Sequence, residues 1–295
     1  MEVNVSQILA FQRCELDWYY QFVRRRVRRG FSVALSVGTW WHFLMESFFH
    51  LASRGEVDKD VAAFRAMEEL ARMQREAIDL GFHAESADFA AICRDLLVQF
   101  DTHWAPRFPL SEIELVEEPI RRRLPDSPHY LIGIPDAVVI SNGYRWHLQH
   151  KTMGSSIPLT VYLRASERSL HELAYAWLLE ARAGVAYGGT YLNITRKLSK
   201  KAQLEAPQSA FVQELIPIDH HQILDAINDI SRIVSRMERI RAGTEPPIDN
   251  READTNKFGN ALSPYFEVKL GRESLDDDAL FMPATSRYDN FGRSG

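Results

Sequence analysis

The chain has 295 residues, of which 45% are hydrophobic and 25% are charged, and its formal net charge at pH 7 is −5. This composition is typical of a globular protein and excludes disordered, collagen-like and rod-shaped coiled-coil chains. Because the net charge is negative, any site for a polyanion must come from local clusters of basic residues. The length allows one large domain or two small ones.

Cysteine usage and the amino terminus bear on the cellular compartment. Cys14 and Cys93 are the two cysteines, too few for a disulfide framework, and they fit a reducing compartment. The sequence begins without the basic and apolar regions of a secretory signal. Its most apolar stretch, Phe31 to Met45, is shorter than the ~20 residues of a membrane span. We therefore expect a cytoplasmic protein that makes no membrane contact.

The first hundred residues have a helical pattern of apolar positions. Ser6 is placed to cap a first helix that continues toward residues 18–20. Gly38 is predicted to precede another helix, and two more are predicted over 58–80 and 84–104.

After residue 110 the period changes to that of strands. Strands are predicted over 112–124, 130–140 and 144–151, and the Asn142-Gly143 pair between the last two is a strong hairpin signal. The following elements are a helix over 168–183, a strand over 185–194 and a helix over 220–241.

These elements predict an α/β fold with a mixed central sheet flanked by helices. Residues 1–110 are expected to form a helical part, 111–245 the core, and 246–295 a partly irregular extension.

Three polar residues of the predicted hairpin could carry chemistry. Strand alternation places Gln149 and Lys151 on one face, and pairing across the turn brings Asp136 near them. The oxygens could hold Mg²⁺ or Mn²⁺, while the lysine could orient a water or stabilise an oxyanion. The alternative is a solvated hairpin end, where Asp and Lys are common.

Several short motifs occur in a defined order along the chain. They are Ser6 with Phe11-Gln12-Arg13-Cys14 and Trp18-Tyr19-Tyr20, Gly38 with His42 and Glu46, Gly133-Ile134-Pro135-Asp136, Gln149-His150-Lys151, and His171 with Tyr175. This order resembles the RecB-like branch of the PD-(D/E)XK nuclease superfamily, which includes recombination, phage and CRISPR-adaptation nucleases. The resemblance covers Val5 to Ile194 and implies a restriction-endonuclease-like sheet.

The resemblance also implies roles for individual residues. His42, which could otherwise be a core histidine, matches the family histidine that reaches a metal ion, and Asp136 matches the central metal-binding aspartate. Lys151 matches the catalytic lysine, and the backbone carbonyl of His150 would be a further metal ligand. Tyr175 matches a tyrosine that lies beside the DNA backbone.

The chain departs from the family pattern at two polar positions. Gln149 stands where the family has an acidic residue; it keeps a carbonyl oxygen for a metal but lacks the charge, which favours Mn²⁺ over Mg²⁺. His171 replaces the family glutamine four residues before Tyr175, and either His171 or the adjacent Glu172 could serve as the polar contact.

A third departure concerns an iron–sulfur cluster that many relatives hold on one early and three late cysteines. Cys14 matches the early cysteine, but the late region has none. We therefore expect no iron–sulfur cluster, with Cys14 acting as a small buried hydrophobic residue.

Two basic segments are candidates for contact with phosphates. No acidic residue lies between Asp17 and Glu46, or between Glu180 and Glu205, so their positive charge is not cancelled locally. Ordinary surface charge is the alternative for both segments. The residues concerned are Arg24, Arg25, Arg26, Arg28, Arg196 and Lys197.

These observations predict a DNA nuclease dependent on Mg²⁺ or Mn²⁺, most simply an exonuclease in recombination, repair or replication, including the phage-encoded kind. Asp136, Gln149 and Lys151 would be catalytic, while His42, Asp136, Gln149 and the His150 carbonyl would bind metal. Expected partners are DNA and either a recombination or replication protein or a second copy of the chain. The alternative is a catalytically silent DNA-binding or scaffolding subunit that kept the fold.

Overall fold

The computed structural model describes residues 1–28, 33–53, 59–79, 83–103, 113–154, 158–167, 169–180, 186–197, 211–253 and 263–284. The chain divides into two compact units. The first comprises Met1–Gly30, Arg123–Ile132 and Ala226–Gly295, and the second comprises Phe31–Arg122 and Gly133–Asp225. The three-part division expected from the sequence stays a prediction.

Helices predominate in the first hundred residues, and longer strands begin after them. The helices are α1 (Val5–Arg13), α2 (Glu15–Trp18), α3 (Val33–Ser53), α4 (Lys59–Asp79), α5 (His83–His103), α6 (Leu159–Ser166), α7 (Leu170–Glu180), α8 (His220–Arg241) and α9 (Phe266–Lys269). The strands are β1 (Glu2–Asn4), β2 (Arg26–Arg28), β3 (Ile113–Val116), β4 (Ile120–Arg123), β5 (Tyr130–Gly133), β6 (Ala137–Ser141), β7 (Tyr144–Gly154), β8 (Ala186–Lys197), β9 (Phe211–Pro217) and β10 (Phe281–Pro283). A π-helix spans Tyr19–Val23 and a 3-10 helix spans Arg251–Ala253.

Two predicted helix starts were wrong. The first helix is capped by Asn4, whose side chain accepts a 2.8 Å hydrogen bond from the backbone N–H of Gln7, and Ser6 lies inside α1. Because Cys14 has an extended backbone (φ −160°, ψ 118°), α1 ends at Arg13 instead of continuing. Gly38 also lies inside a helix, since α3 begins five residues earlier.

In the second unit, helices α3, α4 and α5 share one apolar core. The predicted bounds of α4 and α5 were correct to within one residue. Large buried side chains of α3 meet those of α5, including edge-to-face contacts of Trp41 and Phe48 with Phe100. Burial of such side chains supplies most of the free energy that holds a helix of this kind in place.

The sheet of the second unit has five strands in the order β3-β6-β7-β8-β9. β7 and β8 are parallel over Tyr144–Gly154 and Ala186–Lys197, and the other pairs are antiparallel. Asn142 (φ 53°) and Gly143 (φ 78°) form the tight turn between β6 and β7, as their positive φ angles require. The predicted hairpin is therefore correct.

Two of the predicted strands are each interrupted. The strand expected over 112–124 is divided at Glu117, which has a positive φ of 48°. The strand expected over 130–140 is divided between β5 and β6. The two interruptions are neighbours, because Val116 pairs with Ala137 and the backbone N–H of Glu117 donates to the carbonyl of Asp136 at 3.1 Å.

The first unit contains smaller sheets. β1 pairs in parallel with β5, and β10 pairs antiparallel with β2. A small apolar cluster of Tyr265, Leu275 and Phe281 is buried beside β10. None of the helices in the described ranges is long and apolar enough to cross a bilayer.

Candidate metal centre

Three potential metal ligands from separate segments converge in the second unit. They are His42 of α3, Glu117 immediately after β3, and Asp136 immediately before β6. One ligand atom from each lies within 4.8 Å of the other two, and all three side chains are partly buried. The two strand interruptions described above supply both carboxylates.

Asp136 is held from two directions. Its Oδ2 accepts a 2.7 Å hydrogen bond from the backbone N–H of His150 and lies 3.4 Å from His42 Nδ1. Burial alone would raise the pKa of the Asp136 carboxyl, but His42, His150 and Lys151 together hold that pKa well below its ordinary value. Asp136 is therefore an ionised carboxylate, as a metal ligand must be.

The donor set suits a divalent cation. One imidazole nitrogen and two carboxylates match the ligands that Mn²⁺ and Mg²⁺ accept in proteins. Two carboxylates this close repel each other unless a positive charge lies between or beside them. The chemistry of these residues thus fits the expected metal ion.

Strand β7 presents different residues to the two faces of the sheet. The ring of His150 stacks on Phe49 of α3 at 4.9 Å, and burial lowers the pKa of His150 to about 3. On the other face, His147 stacks on Tyr175 of α7 at 4.7 Å. These contacts agree with the predicted alternation of side chains along the strand.

The side chain of Gln149 contacts His171 of α7. It is 2% exposed, and its Nε2 lies 2.9 Å from His171 Nδ1. Its Oε1 is buried and has no hydrogen-bond partner within the described ranges. A buried carbonyl oxygen without a partner is costly in an apolar environment, and such an oxygen suits a metal ion.

Glu172, which the sequence offered as an alternative to His171 for a polar contact, is a buried acid. Its Oε2 accepts a 3.0 Å hydrogen bond from Thr190 Oγ1, and its two carboxylate oxygens lie 3.1 Å from His171 Nδ1 and 3.6 Å from His147 Nδ1. Burial alone would raise the pKa of Glu172, but the two histidines hold it well below its ordinary value. The position of His147 on the face of β7 toward α7 was the available signal for its contact with Glu172.

Tyr175 supports the segment that carries Asp136. It is 4% exposed, and its hydroxyl donates to the carbonyl of Ile134 at 3.0 Å. A Cβ atom at Gly133 would come within 2.8 Å of Tyr175 and 2.6 Å of Leu178, so only glycine lets α7 pack this closely. A contact between Tyr175 and DNA stays a prediction.

Three arginines of the first basic segment are paired with acids of the same unit. The pairs are Arg24–Asp276 at 3.0 Å, Arg26–Asp278 at 2.7 Å and Arg28–Glu273 at 2.5 Å. Phosphate binding by these arginines stays a prediction, and it would compete with these ion pairs.

The remaining predicted phosphate contacts are less well defined. Arg25 donates to the backbone carbonyl of Ala284 at 3.2 Å. Arg196 is partly buried on β8, and the side chain of Lys197 lies outside the described part of the chain.

The predicted catalytic lysine, Lys151, lies on β7 and contributes to the low pKa of Asp136.

Sequence reasoning missed Glu117. The residue stands beside Glu118 and shortly before Arg121, a pattern that indicates surface charge. An acid directly after the buried end of a strand was the one local signal, and its pairing with Asp136 depends on register across the sheet.

Two solved structures were found by comparison of the fold. A solved structure from Eubacterium rectale, described as a "Putative exonuclease", is similar over 84% of each chain, with a TM-score of 0.53 and 12% identity. The solved structure of SSO0001 has a TM-score of 0.30 and 13% identity over 60% of this chain and 71% of that one. No curated protein matches the sequence.

The sequence pattern of one family covers most of the chain. That family is the PD-(D/E)XK nuclease superfamily, and the match extends over residues 2–255. The expected fold class, a mixed α/β sheet flanked by helices, is confirmed with it. The chain therefore belongs to the PD-(D/E)XK nuclease superfamily.

Proposed function

We propose that this protein is a metal-dependent deoxyribonuclease that hydrolyses phosphodiester bonds, acting as an exonuclease in DNA recombination, repair or replication. The observation that carries the proposal is the convergence of His42, Glu117 and Asp136 within 4.8 Å, in a chain of a nuclease superfamily. The fold shared with the Eubacterium rectale protein is consistent with it.

The metal ion would be Mg²⁺ or Mn²⁺, bound by His42, Asp136, Gln149 Oε1 and the backbone carbonyl of His150. In a strand, the N–H and the carbonyl of one residue point to the same side. Since the His150 N–H donates to Asp136, the carbonyl of His150 is directed to that side as well. A divalent ion there lowers the pKa of water and neutralises charge that develops on a phosphate.

Lys151 is proposed to orient the attacking water and to stabilise the pentavalent oxyanion. The charge of Lys151 lowers the pKa of Asp136, and this electrostatic effect supports the proposed role. The attacking water gives up a proton as it forms the new P–O bond, the bond to the leaving sugar oxygen breaks, and that oxygen takes up a proton.

The α7 helix, which packs against one face of β7, would hold two parts of the site in position. His171 contacts the amide of Gln149, and Tyr175 holds the carbonyl two residues before Asp136. We propose that both residues also help to position the DNA strand. The six basic residues predicted to contact phosphates would guide the backbone of a cytoplasmic DNA substrate; they are Arg24, Arg25, Arg26, Arg28, Arg196 and Lys197.

The test is cleavage of end-labelled linear DNA and closed circular DNA with Mg²⁺ or Mn²⁺, comparing the wild type with Lys151→Ala and Asp136→Asn. We expect degradation of linear DNA alone. Loss of Lys151 should lower the rate by roughly 10²- to 10³-fold, as expected for loss of one preorganised group that stabilises developing charge. The matched control is Arg123→Ala. Arg123 is the last residue of β4, and its Nε donates to the backbone carbonyl of Ser127.

Each outcome discriminates between the candidate functions. Cleavage of circular DNA would replace the exonuclease by an endonuclease. DNA binding without cleavage in either metal would favour the silent subunit and contradict the proposal. A Lys151→Ala protein with full activity would contradict the assigned role of the lysine.

A further inference from the structure

We infer that Glu117 supplies the second acidic ligand of the metal centre and thereby takes over the charge that Gln149 lacks. The inference rests on the proposed function, because it assigns a residue to the metal of that site. With Gln149 in place of the family acid, the site would still have two carboxylates, those of Asp136 and Glu117.

The position of Glu117 supports this role. It follows the last residue of β3, and β3 is antiparallel to β6, so the end of one strand lies beside the start of the other. A hydrogen bond of 3.1 Å from the Glu117 N–H to the Asp136 carbonyl fixes the two residues together. The Glu117 carboxylate is thereby delivered to the Asp136 carboxylate and His42.

The backbone of Glu117 is unusual for an acid. Its φ of 48° lies in the left-handed region, which costs a non-glycine residue free energy and persists where the surroundings impose it. Neither flanking position is glycine or asparagine. A bound cation would offset both the free energy of this backbone conformation and the repulsion between the Glu117 and Asp136 carboxylates.

Three other acids of the neighbouring segments have different surroundings. Glu114 forms a two-point ion pair with the buried Arg145, at 2.6 and 3.1 Å. Glu118 is exposed. Glu172 is held by Thr190 and two histidines on the α7 side of β7. Within the described ranges, Glu117 is the acid that lies within ligand distance of both His42 and Asp136.

Gln149 in turn has a contact that a carboxylate would alter. Its amide group lies 2.9 Å from His171 Nδ1, and Glu172 lies 3.1 Å from the same nitrogen. A carboxylate at position 149 would place a second negative charge on this buried pair. The neutral amide thus keeps a carbonyl oxygen for the metal without adding charge beside Glu172, while Glu117 provides the second carboxylate.

The experiment measures Mn²⁺ binding by calorimetric titration, without DNA, so that the readout is independent of cleavage. The variants are Glu117→Gln, Gln149→Glu, the double variant, Asp136→Asn, and the adjacent Glu118→Gln as the matched control. Thermal melting in a chelator shows that each variant is folded. We expect Glu117→Gln to weaken Mn²⁺ binding at least about tenfold, since affinity follows the number of charged ligands, and Glu118→Gln to bind like the wild type.

The double variant tests the exchange of charge between the two positions. We expect Glu117→Gln combined with Gln149→Glu to bind Mn²⁺ more tightly than Glu117→Gln alone, because it again has two carboxylates. A double variant no better than Glu117→Gln would overturn the exchange.

The two proposals fail in different ways. If the wild type binds Mn²⁺, Asp136→Asn does not, and Glu117→Gln binds like the wild type, the inference is overturned while the nuclease proposal stands. A wild type that binds no Mn²⁺ and cleaves no DNA would overturn both.

Discussion

The two units of this protein differ in the groups that surround their buried carboxylates. In the first unit, Lys269 is 4% exposed and its Nζ lies 2.7 Å from Asp17 Oδ1 and 2.8 Å from Asp249 Oδ1. In the second, Glu117 and Asp136 lie together with a histidine as the third member of the cluster. The first arrangement contains its own cation, whereas the second is the cluster that we propose to bind a metal ion.

The contrast separates charges that hold the fold from charges that we propose to bind a metal ion. Ser263 Oγ donates to Asp17 at 3.0 Å, and Lys269 Nζ lies 3.3 Å from Cys14 Sγ. Cys14 is 1% exposed, as expected for a small buried residue. The carboxylates of the first network are paired with a buried lysine, whereas two carboxylates and an imidazole are a donor set that suits a divalent ion.

The largest effect on stability is expected from Lys269→Met, which removes the cation of the first network. Asp17 would remain buried without its charge partner, at a cost of about 3–5 kcal/mol in the free energy of unfolding. Urea denaturation measures this loss. Mn²⁺ affinity of the folded variant should equal that of the wild type, because the metal ligands belong to the other unit.

The control for this variant is Arg232→Ala, which breaks an exposed pair with Asp229. Such surface pairs contribute at most about 1 kcal/mol. If Lys269→Met cost no more than Arg232→Ala, the contrast between the two units would lose its energetic basis.

An intermediate effect is expected from Glu172→Gln, and it should depend on pH. The pKa of Glu172 is lower in the fold than its ordinary value of 4.5, so the unfolded chain takes up the proton first as pH falls. The stability that the ionised carboxylate provides is therefore complete above about pH 5 and is lost progressively below it. Measured in chelator, the variant should lose about 1–3 kcal/mol at pH 7, and the difference from the wild type should shrink toward pH 3.

Glu180→Gln is the matched control on the same helix. Glu180 lies 2.9 Å from His220, whose side chain is exposed, so its removal should change stability little. A Glu172→Gln protein whose deficit stayed constant between pH 7 and pH 3 would contradict the ionised state of Glu172.

The smallest effect is expected from Arg24→Ala. Its partner Asp276 is 75% exposed, and the loss of such a pair should cost less than about 1 kcal/mol. The same variant reports on DNA binding, because an arginine that contacts a phosphate contributes to the salt dependence of binding. Filter binding at several salt concentrations would show an unchanged slope if Arg24 serves only Asp276.

Local periodicity was sufficient for the regular elements of this fold. Helices α4 and α5 have continuous amphipathic patterns, and the Asn142-Gly143 turn has its own backbone signature. The order of motifs predicted roles for Asp136, His42 and Lys151, and the structure brings Asp136 and His42 together.

The parts that the sequence did not reveal are those that depend on long-range pairing. The break at Glu117 follows from the register between β3 and β6, which no local pattern specifies. The Asn4 cap was missed because Ser6 is an equally good capping residue by type. Positions where a local rule fails are often functional sites, and both carboxylates of the metal centre lie at such failures.

Because several residues of the candidate site lie on strand β7, the site is sensitive to insertions and deletions in the codons of that strand. The strand pairs with β8 from Tyr144 to Gly154, and side chains alternate between its faces at every residue. Insertion or deletion of a single codon between His147 and Gln149 would therefore move the residues that follow it to the opposite face of the strand. His150 would then face α7. A substitution in this strand removes one group, but a one-codon shift would misplace every group that follows it on the strand.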